Sequence, residues 1–342
     1  MDQELTEIKV EGGMEEQNQQ QSNSTSRREF KHFDIIPANS ITNDHHYFAS
    51  PSTLSSPSYQ KKIMKEWRIL EDNLPDSIYV RVYEKRIDLL RAVIIGPAGT
   101  PYHDGLFFFD IQFPSDYPNK PPTVCYRSFG NRLNPNLYAN DFVCLSLLNT
   151  WHGEYKNERW IPSQSTMLQV LVSIQALVLN EQPFFNEPGY AQYSKTSDPW
   201  KRSSLLYNET AFTLSCKTML CILNTPPTFF EEFVVQHFRD RGDAILTACK
   251  AYDTGRARIG DQLTITAAGT GIQNMPSRTF KTSMEQIYPK LVNSFAKNNG
   301  SPNGIMNTSN ASELPSDNGS PNGITDTSNA SVLRIIGFRN PI

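Results

Sequence analysis

The chain has 342 residues, of which 38% are hydrophobic, and a formal net charge of −3 at pH 7. Its 32 basic and 35 acidic side chains nearly balance, which argues against nucleic acid as a partner. The first residues lack the basic and apolar regions of a secretory signal, and no apolar stretch is long enough for a membrane span, so we expect a soluble protein of the cytoplasm, the nucleus or both.

The amino-terminal part, residues 1–58, is rich in Gln, Ser and Asn and poor in branched apolar residues. Such a composition cannot offset the entropy lost on ordering, so it predicts a disordered polar arm. One apolar stretch inside it, residues 30–36, is either a docking motif or strand laid on a folded domain, or a transient cluster. The sequence leaves these alternatives open.

The first predicted helix covers residues 59–73, with Ser58 as its cap and Leu74-Pro75 at its end. Its apolar residues recur at helical spacing: Ile63, Trp67 and Leu70. Its exposed face carries three basic residues: Lys61, Lys62 and Lys65. These lysines are either contacts for an acidic partner surface or an ordinary solvated face.

Four segments rich in branched and aromatic residues follow, separated by turn residues. They are residues 77–83, 87–95, 106–113 and 123–128. Their order and short connections predict a four-stranded antiparallel meander.

Residues 129–162 contain Asn, Gly and Pro breaks without sustained periodicity, which indicates the kind of irregular segment on which function often lies. Residues 165–182 are apolar on nearly every turn and predict a central helix buried beneath the sheet. Asp198 is expected to cap another helix with Pro199 at its first position, and residues 228–252 are expected to form a last amphipathic helix.

These elements define a folded α+β domain over about residues 59–252. Beyond it, over residues 253–342, the pattern dissolves, and the sequence Asn-Gly-Ser-Pro-Asn-Gly-Ile at 299–305 recurs at 318–324. Two copies are too few for a repeat architecture, so we predict a low-complexity, flexible tail.

Five cysteines in a chain without an export signal favour reduced thiols over a disulfide framework. One alternative is a metal site built from these residues: Cys216, Cys221, His237 and Cys249. Their spacing fits no common zinc pattern, and their apolar helical surroundings favour buried core residues instead.

The motifs that indicate chemistry surround Cys144, which lies eight residues after Asn136. Tyr-Pro-Asn-Lys-Pro-Pro at 117–122 and Asn-Pro-Asn at 134–136 precede it, and Trp-Ile-Pro at 160–162 follows it. This order resembles the ubiquitin-conjugating (E2) family, whose match extends from about residue 59 to residue 190. The resemblance implies the ubiquitin-conjugating fold, a four-stranded meander packed on a central helix with flanking N- and C-terminal helices.

In that family a cysteine accepts ubiquitin as a thioester and later yields it to a lysine. The resemblance therefore assigns Cys144 as the nucleophile, and sulfur suits the role because its acyl derivative is reactive yet slow to hydrolyse. The role requires a sulfur that another polypeptide can reach. Without the resemblance, Cys144 would be interpreted as a small hydrophobe packed beside Val143 and Leu145.

Asn136 is implied to donate a hydrogen bond to the oxyanion or to brace the loop, and a simple turn signal is compatible with both roles. The family's His-Pro-Asn is Asn134-Pro135-Asn136 here, which we expect to alter loop bracing with activity retained. Glu187 occupies the place of the family's acidic residue and is implied to orient the incoming lysine and receive its proton, with Asn186 beside it. The alternative for Glu187 is an exposed turn residue.

The resemblance also implies partners. These are ubiquitin, the ubiquitin-activating enzyme, which docks the first helix and hence Lys61, Lys62 and Lys65, and substrate proteins. A ligase is the fourth, but Asn119 stands where members of the family usually present an aromatic residue to it. No cofactor is expected, because the ATP requirement belongs to the activating enzyme.

A long segment, residues 150–159, separates the thiol from Trp160. Together with the sequences around Cys144 and Glu187 it resembles the large E2/E3 hybrid group, which includes the plant phosphate-signalling E2. Membership implies substrate selection without a separate ligase. The alternative is a catalytically silent E2 variant that binds ubiquitin as an interaction module, and the presence of Cys144 argues against it.

Overall fold

The structure, a computed structural model, describes residues 30–40, 43–52, 56–151, 158–162, 164–187, 189–190, 197–260 and 275–300. The chain divides into residues 1–30 and residues 31–342, and all elements below belong to the second unit. Its helices are α1 Pro57–Asn73, α2 Met167–Ser173, α3 Asp198–Asn224, α4 Glu231–Asp253 and α5 Arg278–Gly300. Its strands are β1 Phe33–Ile36, β2 Ile78–Tyr83, β3 Arg86–Ile95, β4 Leu106–Gln112 and β5 Thr123–Tyr126.

Strands β2 to β5 form the predicted antiparallel meander, within one five-stranded sheet ordered β1-β2-β3-β4-β5. Strand β1 pairs in parallel with β2, with Phe33 opposite Val80. The outer edge of β2 has main-chain groups that need hydrogen-bond partners, and the apolar stretch 30–36 supplies them. The N–H of Val80, for example, donates to His32 O at 2.7 Å. The strand alternative for that stretch is therefore confirmed, and the prediction of disorder throughout residues 1–58 is wrong for this part.

Helix α1 begins two residues earlier than predicted, because Ser56 rather than Ser58 is its cap. The Ser56 hydroxyl accepts from the N–H of Tyr59 at 3.2 Å. Pro57 occupies the first position, where its missing N–H costs nothing.

One face of the sheet packs on α1 and α2. Residues alternate along each strand, so Val80 and Phe109 point to this face and are fully buried in the same cluster as Ile63 of α1 and Val170 of α2. The core of the α+β domain therefore lies between the sheet and these helices.

The opposite face of the sheet is also covered. Phe230 packs edge-on against Phe108, with ring centroids 5.2 Å apart. Residues 43–50 lie over the same face, where Asp44 binds the buried Arg91 of β3 at 2.8 Å. Part of the predicted arm and the start of α4 thus complete the domain.

The predicted central helix, residues 165–182, is shorter and irregular. Thr166 and Gln169 form a reciprocal capping box that begins α2. The turn Ile174–Val178 is a π-helix, which bulges because its N–H groups bond five residues back, as Leu179 N does to Ile174 O at 3.0 Å. Such bulges recur at functional sites.

The carboxy-terminal helices extend further than predicted. Asp198 is the first residue of α3 and Ser197 precedes it, so Asp198 is not the cap. Helix α4 is not the last, because α5 packs on α3 and α4, and Phe295 stacks on Phe238 with centroids 5.7 Å apart. The prediction of a flexible tail over 253–342 is wrong for Arg278–Gly300. Apart from residues 299–300, the repeated sequences lie outside the described residues.

Candidate active site

Cys144 lies in the irregular segment between β5 and α2, where it is held by Asn136. The N–H of Cys144 donates to Asn136 O at 2.9 Å. In return, Asn136 Nδ2 donates to the main-chain oxygen of Cys144 at 2.9 Å. Two reciprocal hydrogen bonds therefore fix the cysteine and the asparagine eight residues before it as one unit.

Asn134, which is completely buried, braces the unit of Cys144 and Asn136 by hydrogen bonds. Its Oδ1 accepts from the N–H of Asn136 at 2.8 Å, and its Nδ2 donates to Val178 O at 2.7 Å and to Tyr102 Oη at 2.8 Å. The first residue of Asn-Pro-Asn thus ties the cysteine loop to the π-turn and to the segment before β4. Whether this bracing differs from that by the family's histidine stays a prediction.

A second brace, which the sequence analysis missed, is Thr150. Its hydroxyl donates to Val143 O at 2.8 Å and accepts from the N–H of Leu145 at 2.9 Å. The main-chain oxygen of Thr150 lies 3.4 Å from Cys144 Sγ. Only its place in the long segment after the cysteine pointed to this residue, and most of that segment, 152–157, lies outside the described residues.

The thiol itself is largely covered, since only 4% of Cys144 is exposed. Both neighbours, Val143 and Leu145, belong to the main core cluster, whereas Cys144 does not. Burial and, to a lesser degree, the negative charge of Glu187 raise the pKa of Cys144 to about 12. This conformation does not present the reachable sulfur that the predicted role requires.

Glu187 stands on the same side of the domain as Cys144, at the end of the turn Pro183–Asn186. Its Oε2 accepts from Arg132 Nη2 at 3.2 Å, and the Arg132 guanidinium lies 4.8 Å from the centre of the Tyr138 ring. Both partners of the ion pair are partly exposed. The structure therefore brings Glu187 into electrostatic range of Cys144 and adds Arg132 and Tyr138, which the sequence analysis did not name.

Asn186 faces the π-turn rather than the thiol. Its Nδ2 donates to Leu177 O at 3.2 Å and to Val178 O at 3.3 Å, and its Oδ1 accepts from Asn180 Nδ2 at 2.7 Å. These bonds fix the turn from which Glu187 projects.

The remaining predicted residues lie on the surface. All three lysines on α1 are exposed: Lys61, Lys62 and Lys65. Asn119 is exposed as well. The main-chain oxygen of the preceding residue, Pro118, accepts a hydrogen bond from Trp160 Nε1 at 2.6 Å. The described residues bring no metal-binding group together from the rejected set of cysteines and His237.

Comparison with known proteins identifies the class. A family model described as ubiquitin-conjugating enzyme matches residues 62–211. The Arabidopsis thaliana protein named ubiquitin-conjugating enzyme E2 38 is 49% identical over 280 residues, which cover 79% of this chain and 82% of that protein. The chain belongs to the ubiquitin-conjugating enzyme (E2) family, and its fold and enzyme class are those of that family.

Two further relatives are longer than the region they share with this chain. Ubiquitin-conjugating enzyme E2 26 of Arabidopsis thaliana is 48% identical over 79% of this chain and 49% of its own length. The Homo sapiens dual E2 ubiquitin-conjugating enzyme/E3 ubiquitin-protein ligase BIRC6 is 38% identical over 61% of this chain and 4% of its own length. The likeness to the large hybrid group is thereby confirmed. Within the described residues, no helix combines the length and apolarity needed to cross a membrane.

Proposed function

We propose that this protein accepts ubiquitin from the activating enzyme as a thioester on Cys144 and transfers it to a substrate lysine. The observation that carries the proposal is the reciprocal pair of hydrogen bonds between Cys144 and Asn136. An inert core cysteine needs no such support, whereas a carrier must hold its sulfur in one orientation through two successive reactions.

In the first reaction, the Cys144 thiolate attacks the thioester carbonyl that links ubiquitin to the activating enzyme. The carbon–sulfur bond to the activating enzyme breaks and its thiol leaves, so the acyl group has exchanged one sulfur for another. ATP is consumed earlier, on the activating enzyme, and this chain needs no cofactor.

In the second reaction, a neutral lysine amine attacks the new thioester, and the tetrahedral intermediate collapses to an isopeptide with Cys144 as leaving group. Asn136 either stabilises the oxyanion, for which its Nδ2 would leave the Cys144 carbonyl, or keeps the loop in place. Glu187 receives the proton of the lysine, which must be neutral to attack although its pKa is ordinarily near 10.4.

The catalytic unit is the region of about residues 59–252. Helix α5, which lies beyond this region, packs on α3 and α4 of the unit. The exposed lysines of α1 supply the docking face for the activating enzyme. The likeness to a protein named as dual E2 and E3 supports substrate transfer without a separate ligase. All five cysteines are free, which suits the reducing cytoplasm or nucleus.

One observation favours a second candidate, a silent ubiquitin-binding variant: Cys144 is buried and its thiol pKa is raised to about 12. One experiment separates the two. Activating enzyme, ATP, ubiquitin and the full chain are incubated, and the products are compared on gels with and without reductant. A reductant-sensitive adduct that Cys144→Ala abolishes supports the carrier. Absence of that adduct on the wild type supports the silent variant.

A further inference from the structure

Three side chains with metal-binding atoms converge on the sheet face that α4 and residues 43–50 cover. They are His46, Cys125 of β5 and Asp141. One ligand atom of each lies within 4.8 Å of those of the other two. The proposed conjugation reaction uses none of these residues.

The main chain of His46 is anchored at this place. Its N–H donates to Asp110 Oδ2 at 2.8 Å. Asp110 of β4 lies directly opposite Cys125 in the sheet register, and side chains of opposite residues leave a sheet on the same face. His46 is exposed, and its ring packs edge-on against Tyr47 with centroids 4.7 Å apart.

Asp141 is also held in place before any ion binds. Its backbone is left-handed, with φ 69°, and its main-chain oxygen accepts from the N–H of Tyr126 at 2.8 Å. Its Oδ1 accepts from Ser128 Oγ at 2.6 Å and from Ser128 N at 3.1 Å. Donors of this kind orient ligating carboxylates in metal sites, and none of the described residues hydrogen-bonds to Oδ2.

The surrounding charges do not oppose a cation. The two nearby guanidinium groups are neutralised: Arg91 binds Asp110 at 2.6 Å and Asp44 at 2.8 Å, and Arg127 lies 3.4 Å from Asp44. Asp141 has no cationic partner in the part of the chain that the structure describes. Its negative charge is therefore available to an ion.

We propose that His46, Cys125 and Asp141 bind one divalent transition-metal ion of the zinc class. Imidazole nitrogen, thiolate sulfur and carboxylate oxygen are the ligand types that Zn²⁺ takes, and water completes a tetrahedral set. On binding, the Cys125 thiol loses its proton to solvent. Because Asp141 is three residues before Cys144, the ion would join the amino-terminal segment, β5 and the cysteine loop.

Cobalt(II) is a suitable probe because thiolate ligation to it gives a near-ultraviolet charge-transfer band. The full chain carrying Cys144→Ala, which removes the active-site thiol, is titrated with Co²⁺ under a phosphine reductant. We expect a band that saturates at one equivalent and that Zn²⁺ displaces. Adding Cys125→Ser should abolish the band, whereas the matched change Cys221→Ser should leave it unchanged.

Two further variants test the other ligands. His46→Gln and Asp141→Asn should each weaken Co²⁺ binding at least tenfold, and Asp141→Asn keeps an oxygen for Ser128. Zn²⁺ should raise the melting temperature of the Cys144→Ala protein but not that of Cys125→Ser in the same background, which also shows whether each variant folds. A Cys144→Ala protein without the band, or a band that survives Cys125→Ser, overturns the proposal.

Discussion

The carboxylate of Glu66 on α1 accepts a hydrogen bond from the N–H of Met167, the first residue of α2, at 2.9 Å. Glu66 is 6% exposed, so this contact joins the two helices inside the domain. An acceptor at a helix N-terminus satisfies a donor that has no partner within the helix. The helix that faces the sheet is thus positioned by the helix that carries Lys61, Lys62 and Lys65.

We predict different results for two substitutions of Glu66. Glu66→Ala leaves the buried N–H of Met167 without an acceptor and should lower the free energy of unfolding by about 1–3 kcal/mol. Glu66→Gln keeps an oxygen in place and should cost less at every pH. Urea unfolding monitored by circular dichroism measures both, and equal losses would show that the hydrogen bond contributes nothing.

The same pair predicts a pH dependence. Burial raises the pKa of Glu66 above its ordinary value of 4.5, against the opposing effects of the Met167 N–H, Tyr117 and Lys65. The folded state therefore keeps a proton that the unfolded chain has lost, and stability falls as the pH rises from 4.5 through the folded pKa. Glu66→Gln cannot ionise, so its stability relative to wild type should increase between pH 4 and pH 7. A difference independent of pH would contradict this assignment.

A third prediction concerns the thiol of Cys144. Burial first, and Glu187 second, raise its pKa from 9.0 to about 12, which lowers the thiolate fraction at neutral pH by about a thousand-fold. Iodoacetamide should therefore modify Cys144 far more slowly than a free thiol, as followed by peptide mass spectrometry. Glu187→Gln should speed the modification. Glu181 is an exposed glutamate in the preceding segment, and the control variant Glu181→Gln should leave the rate unchanged. Equal modification rates in the two variants would show that the charge of Glu187 does not affect the Cys144 thiol.

Much of this architecture follows from the sequence, because it is encoded by local periodicity. The meander and the amphipathic α1 were predicted from apolar spacing, and the order of motifs placed Cys144 and Asn136 together. Contacts between distant segments were not predictable in this way. Glu66 is an ordinary helix residue until the fold places Met167 beside it.

Other differences have the same physical origin. Strand β1 is a short apolar stretch within a polar arm, and α5 is an amphipathic helix within a polar tail, where the surrounding composition outweighed the local pattern. The π-turn Ile174–Val178 has no sequence signal of its own, since its residues suit an ordinary helix equally well. The contact of the Thr150 main-chain oxygen with Cys144 Sγ joins two residues of irregular structure, which apolar spacing does not encode.

A fourth prediction tests the bracing of the cysteine loop by Asn134. Asn134→Ala removes the acceptor for Asn136 N and the donor to Val178 O, so at least one buried group is left unsatisfied. The free energy of unfolding should fall by about 1–3 kcal/mol. Asn140→Ala, at an exposed position of the same loop, should change it little. A similar loss in both would mean that the loop tolerates no alanine and that Asn134 is not a specific brace.

The fifth prediction tests Lys61, Lys62 and Lys65 as the docking face for the activating enzyme. Exposed ion pairs are worth about 0.2–1 kcal/mol each, so replacing all three by alanine should lower kcat/KM for thioester loading about 3-fold to 150-fold at low salt. The loss should shrink as salt rises, because exposed charges are screened. Alanine at Lys217, Lys290 and Lys297, exposed on α3 and α5, is the control for net charge. Discharge from preloaded enzyme onto free lysine should be unchanged, and an equal fall in both steps would indicate general damage rather than a lost docking face.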